Sequence, residues 1–252
     1  MAKTKKAPSD PLVFVDPFEG SSYRLICGVD EAGRGPLCGP VVAAACILPA
    51  DCAIEGLNDS KKLTEKKREK LFDVIRESAL TYCIAQSSVE EINRINILEA
   101  SLLAMRRAIT GLCPSAEAAW IDGNVERNFP LPARAVVHGD ALVPAISAAS
   151  ILAKVTRDRM CATLDAQYPL YGIAGHKGYG TAAHIAALKE HGPAPIHRLR
   201  FIRFLNTTAE DDTAADAIAI QEALQDTAWR FYDENGSIPD YILEYKHAES
   251  HS

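Results

Sequence analysis

Two apolar segments enclose a short glycine-rich segment that carries two adjacent carboxylates, and this arrangement strongly limits how the chain can fold. The enclosed segment runs from Gly28 to Pro36 with the sequence GVDEAGRGP. Residues 25–27 before it are typical of the end of a buried strand, and residues 41–48 are typical of a second buried strand. The chain must therefore turn between two interior strands while it keeps Asp30 and Glu31 at one strand end.

Asp30 and Glu31 can serve one metal ion only under particular backbone conditions. Successive side chains of a strand point to opposite faces of the sheet. The two residues could therefore share a metal if the chain bends there, or if Glu31 contributes its backbone carbonyl. Gly33 and Gly35 permit a bend and also leave backbone that a sugar or phosphate can approach closely. The alternative interpretation is a solvated turn, because short acidic motifs are weak evidence alone.

The rest of the chain alternates between predicted strands and predicted helices, which indicates an α/β fold. Ser88 and Glu91 form a predicted capping box at the start of one helix. We predict helices at about 64–80, 88–110, 144–166 and 181–191, and further strands at 82–85, 119–121 and 135–137.

The chain divides by composition into three parts. Residues 1–20 are polar and rich in proline, and we expect disorder at the start. Residues 21–206 carry a net charge of +3, which suits a nucleic-acid enzyme, and form the predicted catalytic domain. Residues 207–252 carry a net charge of −9 and form a predicted helical extension, in which one last helix has an apolar face made by Ile220, Leu224, Ala228 and Phe231.

The cysteines and the apolar runs predict a cytoplasmic protein. The seven cysteines include no Cys-x-x-Cys pair, and several lie inside apolar segments, so we expect reduced core residues rather than disulfides or zinc ligands. No apolar run is long enough to span a membrane. The basic residues at the start are not followed by an apolar signal segment.

Two further carboxylates follow predicted strands, as Asp30 does. Asp122 comes after the strand at 119–121, and Asp140 comes after the strand at 135–137. Ligand sites in open α/β sheets tend to gather at strand ends. Taken singly, each residue is more typical of a turn or a helix cap than of a ligand site.

The segment from Asp30 to Pro36 resembles the signature segment of ribonuclease HII, the bacterial type-2 ribonuclease H. Four further segments match the family in the same order, over about residues 24–204. The resemblance implies a ribonuclease-H-like fold, with a mixed central sheet flanked by helices. It also implies that Asp30, Glu31, Asp122 and Asp140 are the catalytic and metal-binding carboxylates.

The implied activity is metal-dependent hydrolysis of RNA joined to or paired with DNA. The family cuts the RNA strand of RNA–DNA hybrids and cuts 5′ of single ribonucleotides in duplex DNA, leaving 5′-phosphate and 3′-hydroxyl ends. Oxygen ligands suit Mg²⁺ or Mn²⁺ in a two-metal site, and the sequence shows no His/Cys cluster that would offer a softer site.

The resemblance also implies a substrate-binding set. The backbone of Gly33, Arg34 and Gly35 would contact the 2′-hydroxyl, which distinguishes RNA from DNA. Tyr179, in the segment HKGYGT, would stack near the sugar at the RNA–DNA junction. An ordinary loop aromatic is the alternative for Tyr179.

A second part of the predicted substrate-binding set lies in the segment NDSKK. Asn58, Ser60 and Lys61 resemble the family's phosphate-contacting loop. A cap for the basic helix that follows is an equally good and compatible interpretation of this segment.

Three basic residues are assigned more loosely. His197 and Arg198 either contact nucleic acid or support the local structure, and support is favoured. Lys154 lies in a predicted packing helix and is interpreted as an outer or solvated lysine rather than a catalytic one.

Two other functions remain as alternatives to a ribonuclease H. One is a junction-resolving nuclease of the same broad fold, and the other is a non-catalytic nucleic-acid-binding protein. The expected partners are RNA–DNA hybrids and DNA containing ribonucleotides, with no membrane. The expected form is a monomer, with the C-terminal extension as the candidate site for a protein partner.

Overall fold

The computed structural model describes residues 16–57, 60, 63–205 and 238–247, and these form one mixed sheet with helices on both faces. The strands are β1 (Ile26–Ala32), β2 (Val41–Ile47), β3 (Thr81–Ser87), β4 (Ala118–Asp122), β5 (Ala133–Val136) and β6 (Ile242–Lys246). The helices are α1 (Glu65–Ser78), α2 (Val89–Thr110), α3 (Gly139–Leu142), α4 (Pro144–Gln167), α5 (Ile173–His176) and α6 (Ala182–His191).

The strand order β5-β4-β1-β2-β3-β6 places β1 at the centre of the sheet. β1 is antiparallel to β2 but parallel to β4, and β4 is parallel to β5. Val29 pairs with Ile121, so the next residues along each strand, Asp30 and Asp122, are neighbours. The carboxyl ends of three parallel strands therefore meet at one edge, as the sequence predicted.

The two faces of the sheet are covered by different helices. Val29 and Ala43 pack in a core with α2, whereas Ala32 and Ala44 pack in a core with α1 and α4. Because side chains alternate along a strand, Asp30 shares the face of Ala32. All seven residues of β2 are buried, which is expected for an interior strand covered on both faces.

The first strand differs from the prediction in where it ends. We predicted that the strand stops near Cys27 and that both carboxylates follow it, but β1 continues to Ala32. β4 pairs with the strand as far as Val29, and pairing with β2 continues through residues 30–32 and so extends the strand through this segment. The bend comes only at Gly33, whose φ of 101° is accessible chiefly to glycine.

Most other predicted elements are confirmed within a few residues. The capping box is present, with the Ser88 hydroxyl accepting from the Glu91 amide and the Glu91 carboxylate accepting from the Ser88 amide. All seven cysteines are unpaired. Among the residues that the structure describes, no helix is long and apolar enough to cross a membrane.

The C-terminal strand β6 was not predicted. It pairs antiparallel with β3, at the opposite edge of the sheet from β5. The Lys246 Nζ donates to the carbonyls of Glu77 and Ala79 at the end of α1, at 2.8 and 2.7 Å. The part of the predicted helical extension that is described is thus a strand, while the predicted helix around Ile220, Leu224, Ala228 and Phe231 lies outside the described residues.

Candidate active site

The predicted carboxylates come together from three elements at the carboxyl edge of the parallel strands. Asp30 and Glu31 lie on β1, Asp122 ends β4, and Asp140 lies in the first turn of α3. The Asp140 amide donates to Asp122 Oδ1 at 3.2 Å, which fixes the two segments against each other. The structure therefore joins residues from three separate parts of the sequence into one acidic cluster.

Asp30 is a buried carboxylate that lies beside other negative charges of the cluster. Its side chain is 6% exposed and faces α4. Burial, followed by the negative charges of Glu31 and Asp122, raises the pKa of Asp30 well above its ordinary value of 3.8. A cation beside Asp30 would relieve both the burial cost and the repulsion.

Glu31 is oriented differently from Asp30 because the strand stays regular between them. Its side chain alternates away from the α4 face, and its Oε1 is 3.3 Å from the Arg34 guanidinium. The two residues could share a metal if the chain bent between them or if Glu31 contributed its backbone carbonyl, and the structure shows no bend between them. The remaining route is the backbone carbonyl of Glu31.

A cleft of about 280 Å³ opens beside these carboxylates. It contains the backbone of Gly33–Gly35 and the ring of Tyr179, the two parts that are predicted to contact the substrate sugar and are called the sugar reader below. The Tyr179 ring is 48% exposed and packs over Gly35, where a Cβ would lie 3.2 Å from its Cε1. The Leu37 amide donates to the Gly178 carbonyl at 2.8 Å, which joins the two loops. The cleft lining comprises Asp30, Glu31, Ala32, Gly33, Arg34, Gly35, Ser60, Ser150, Lys154, Arg157 and Tyr179.

Known proteins match most of this chain. The model of the family described as Ribonuclease HII matches residues 27–204. The chain belongs to the ribonuclease HII family. It is accordingly a ribonuclease H, a hydrolase of RNA in RNA–DNA substrates, which sets aside the non-catalytic alternative.

Individual relatives agree with the family match. The chain is 60% identical to ribonuclease HII 1 of Methylibium petroleiphilum over 178 residues, which is 71% of this chain and 90% of the relative. It is 62% identical to ribonuclease HII of Albidiferax ferrireducens over 177 residues, covering 70% of this chain and 86% of the relative.

A solved structure confirms the ribonuclease-H-like fold. The crystal structure of ribonuclease H2 from Pyrococcus horikoshii matches with a TM-score of 0.59 at 27% identity. The match covers 79% of this chain and 99% of that protein.

In this ribonuclease HII family member, a pair of serines supports Asp30 in a way that the sequence did not reveal. The Ser150 side chain hydrogen-bonds to the Asp30 carboxylate. The Ser150 and Ser60 hydroxyls are 2.9 Å apart, and both residues are buried. The segment around Ser150 was interpreted as packing alone, because alanine-rich helix faces give no signal for one functional hydroxyl.

The predicted phosphate-contacting loop is described only at Ser60. Ser60 lines the cleft but turns its hydroxyl toward Ser150. Asn58 and Lys61 lie outside the described residues. Lys154 also lines the cleft and pairs with Asp158, so it is bound to a carboxylate rather than solvated alone.

Two buried arginines lie behind the segment from Gly33 to Pro40, which is called the glycine loop below. Arg198 is 0% exposed and lies outside the cleft lining, whereas Arg157 is 2% exposed and forms part of that lining. The favoured interpretation of Arg198 as support agrees with its burial. Arg157 was missed, since nothing in the pattern of a long helix marks one arginine as interior.

A His/Cys cluster is present in space, contrary to the prediction of none. Ligand atoms of Cys38, His184 and His197 all lie within 4.8 Å of one another. His184 Nε2 and His197 Nε2 are 3.2 Å apart and hydrogen-bond to each other. Burial lowers the pKa of both histidines, and it lowers that of His197 to about 4. The guanidiniums of Arg157 and Arg198 act on Cys38 electrostatically, and two buried positive charges there disfavour a cation.

Proposed function

We propose that this protein is a metal-dependent endonuclease that cuts 5′ of single ribonucleotides in duplex DNA and cuts the RNA strand of RNA–DNA hybrids. One observation carries the proposal: Tyr179 packs over Gly35 in the same cleft as Asp30 and Glu31. Bare glycine backbone beside an aromatic ring allows close approach to a sugar and a hydrogen bond to its 2′-hydroxyl. The cut would leave 5′-phosphate and 3′-hydroxyl ends.

The donor set of the acidic cluster fits a hard divalent cation. Its candidate ligands are oxygen atoms, which Mg²⁺ and Mn²⁺ prefer. Asp30, Asp122 and Asp140 would contribute carboxylates, and Glu31 would contribute its carbonyl. The raised pKa of Asp30 supports this assignment, because a bound cation would offset both its burial and its repulsion by Glu31 and Asp122.

The protein's own part in the reaction is to hold the oxygen ligands and the substrate strand in place. Ser150 and Ser60 orient Asp30, and the Asp140 amide orients Asp122. When bound, divalent ions in such a site supply activation of a water molecule and charge stabilisation of the departing 3′ oxygen. Two ions are proposed here, as in other two-metal nucleases.

Cleavage of matched duplexes tests the proposal directly. A labelled duplex with one ribonucleotide should be cut once, on its 5′ side, in the presence of Mn²⁺ or Mg²⁺. The same duplex made only of DNA should stay intact, since it lacks the 2′-hydroxyl, and a chelator should stop cleavage of the duplex that contains the ribonucleotide. Equal cutting of the two duplexes would refute the 2′-hydroxyl argument and favour the junction-resolving alternative.

Removing the ring of Tyr179 should weaken the recognition of ribonucleotides. Stacking of a base on an aromatic ring contributes roughly 1–3 kcal/mol, so Tyr179→Ala should lower kcat/KM for the single-ribonucleotide duplex by roughly 5- to 150-fold. Tyr179→Phe should be milder because it keeps the ring. Tyr245, a similarly exposed tyrosine on β6, supplies the control Tyr245→Ala, which should act like the unmodified protein. Unchanged rates for both Tyr179 variants would make it an ordinary loop residue.

A further inference from the structure

The guanidinium of Arg198 is saturated by the backbone of the glycine loop. All five of its N–H groups donate to carbonyl oxygens, and all five carbonyls lie between residues 33 and 40. Nε donates to Gly39 at 2.9 Å, Nη1 to Arg34 at 3.0 Å and Pro36 at 2.8 Å, and Nη2 to Gly33 at 2.7 Å and Pro40 at 3.1 Å. One side chain therefore contacts the loop along its whole length.

Burying the positive charge of Arg198 costs free energy, and the conformation of the loop has to compensate for that cost. Arg198 is completely buried, and burial together with the neighbouring charge of Arg157 lowers its pKa to about 9. Its five side-chain hydrogen bonds go to carbonyls, and its other neighbours include cysteines and aromatic rings. Carbonyl dipoles are thus the principal compensation for the charge, and they are available only when the loop is folded as observed.

Arg157 supports the same loop from its other side. Its Nη2 donates to the Cys38 carbonyl at 3.3 Å, and its Nη1 donates to the Lys177 carbonyl at 3.1 Å. A Cβ on Gly33 would lie 2.1 Å from the Arg157 Nε, so the loop rests directly on this side chain. The glycine loop and the loop before Tyr179 thereby share one support.

The segment that carries Arg198 is also linked to Tyr179. The Arg198 amide donates to the Leu37 carbonyl at 2.8 Å, and the Gly39 amide donates to the Ile196 carbonyl at 2.9 Å. His197 Nε2 hydrogen-bonds with His184 Nε2, and His184 Nδ1 hydrogen-bonds with the Tyr179 carbonyl at 3.0 Å. Both halves of the sugar reader are therefore connected to residues 196–198.

We propose that Arg198 is a positioning residue for ribonucleotide discrimination, with Arg157 as its second support. It holds the backbone of Gly33–Gly35 where that backbone meets the 2′-hydroxyl, although it never touches the substrate itself. The inference rests on the proposed function, since it assumes that this backbone contacts the sugar. It adds that the selectivity for RNA depends on an interior side chain that lies outside the cleft.

Arg198→Lys is the sharpest test, because it keeps the positive charge and removes the planar five-donor geometry. Lysine has three donors on one atom and cannot reach five carbonyls at once. Displacing reactive groups by about 1 Å can cost roughly 100-fold in rate. We expect kcat on the single-ribonucleotide duplex to fall roughly 10- to 100-fold, while the affinity for all-DNA duplex stays unchanged.

A matched control separates positioning from general stability. Arg107 is also buried and bonds to a carbonyl and to Glu91, but it lies on α2 away from the cleft. Arg107→Lys should lower the melting temperature and leave unchanged the ratio of its affinities for the single-ribonucleotide duplex and the all-DNA duplex. In Arg198→Lys this ratio of affinities should fall toward one. Equal ratios in both variants would overturn the proposal.

A readout without substrate keeps this test distinct from the test of the proposed function. The Leu37 and Gly39 amides donate to carbonyls outside their own loop, so their hydrogen exchange reports the loop conformation. Exchange should be faster at these two amides in Arg198→Lys than in Arg107→Lys of equal melting temperature. Protected amides in both variants would refute the positioning role, whatever the substrate proves to be. If Arg198→Lys does not fold, Arg157→Lys gives the same comparison with a smaller expected change.

Discussion

Asp30→Asn should reduce cleavage by more than about 100-fold, because it removes a negative charge where a divalent cation must bind. Loss of an outer residue at a metal site already costs about 10- to 100-fold, and Asp30 is proposed to contact the metal directly. The measurement is turnover of the single-ribonucleotide duplex at limiting Mg²⁺. Asp73→Asn, at an exposed carboxylate on α1, is the control and should keep full activity. Near-normal turnover by folded Asp30→Asn would refute the assignment.

The same substitution should leave the metal-free protein folded and at least as stable as the unmodified chain. The pKa of Asp30 is raised on folding, so the folded state holds its proton more tightly than the unfolded chain does. The stability of the metal-free protein therefore falls as the pH rises from about 3.8 through the raised value, and asparagine removes that loss. Mn²⁺ should raise the melting temperature of the unmodified protein and have a much smaller effect on Asp30→Asn.

Gly28→Ala should destabilise the whole domain by about 3 kcal/mol or more, the upper part of the range for overpacking. A Cβ on Gly28 would lie 2.1 Å from the Ala145 carbonyl carbon and 2.2 Å from the Ile146 amide nitrogen. These are backbone atoms in the first turn of α4, so no side chain can rotate away. The helix would have to move off β1, which would also displace Ser150 from Asp30.

Thermal unfolding checks this prediction, with a fall in Tm of roughly 6–12 °C for a domain of this size. Gly175→Ala is the matched control, because a Cβ there meets nothing within 4 Å and the residue has no positive φ. Its Tm should stay within about 2 °C of the unmodified protein, as for a substitution that touches nothing. A Gly28→Ala protein that also melts at the unmodified temperature would show that α4 does not pack this closely.

The sequence pattern located the acidic residues near strand ends, because strand ends are visible as apolar runs that stop at polar residues, and the resemblance to ribonuclease HII assigned them to one cluster. Asp30, Asp122 and Asp140 all follow such runs, and the parallel pairing of β1, β4 and β5 brings their ends to one edge. The sequence did not show that β1 extends past Asp30 and Glu31, since the extension depends on pairing with β2, a tertiary contact that the apolar pattern does not reveal. For the same reason it left the orientation of Glu31 open.

The supports of the site were largely invisible in the sequence. Arg157 and Arg198 are charged residues that would ordinarily be assigned to the surface, and only the folded loop shows that carbonyls surround them. Ser150 lies in an alanine-rich helix whose periodicity describes packing rather than hydrogen bonding. β6 is short and lies in an acidic segment, so its pairing with β3 is a tertiary effect.

The long reach of Arg198 has a consequence for how the protein is made. Its guanidinium meets the Gly33 carbonyl across 165 positions of sequence, so the glycine loop cannot adopt its final shape until residue 198 has left the ribosome. Before that point a nascent chain can contain all four carboxylates and still lack the ordered sugar reader. Selectivity for RNA would therefore be acquired at the end of the domain's synthesis, after all four carboxylates of the acidic cluster have been synthesised.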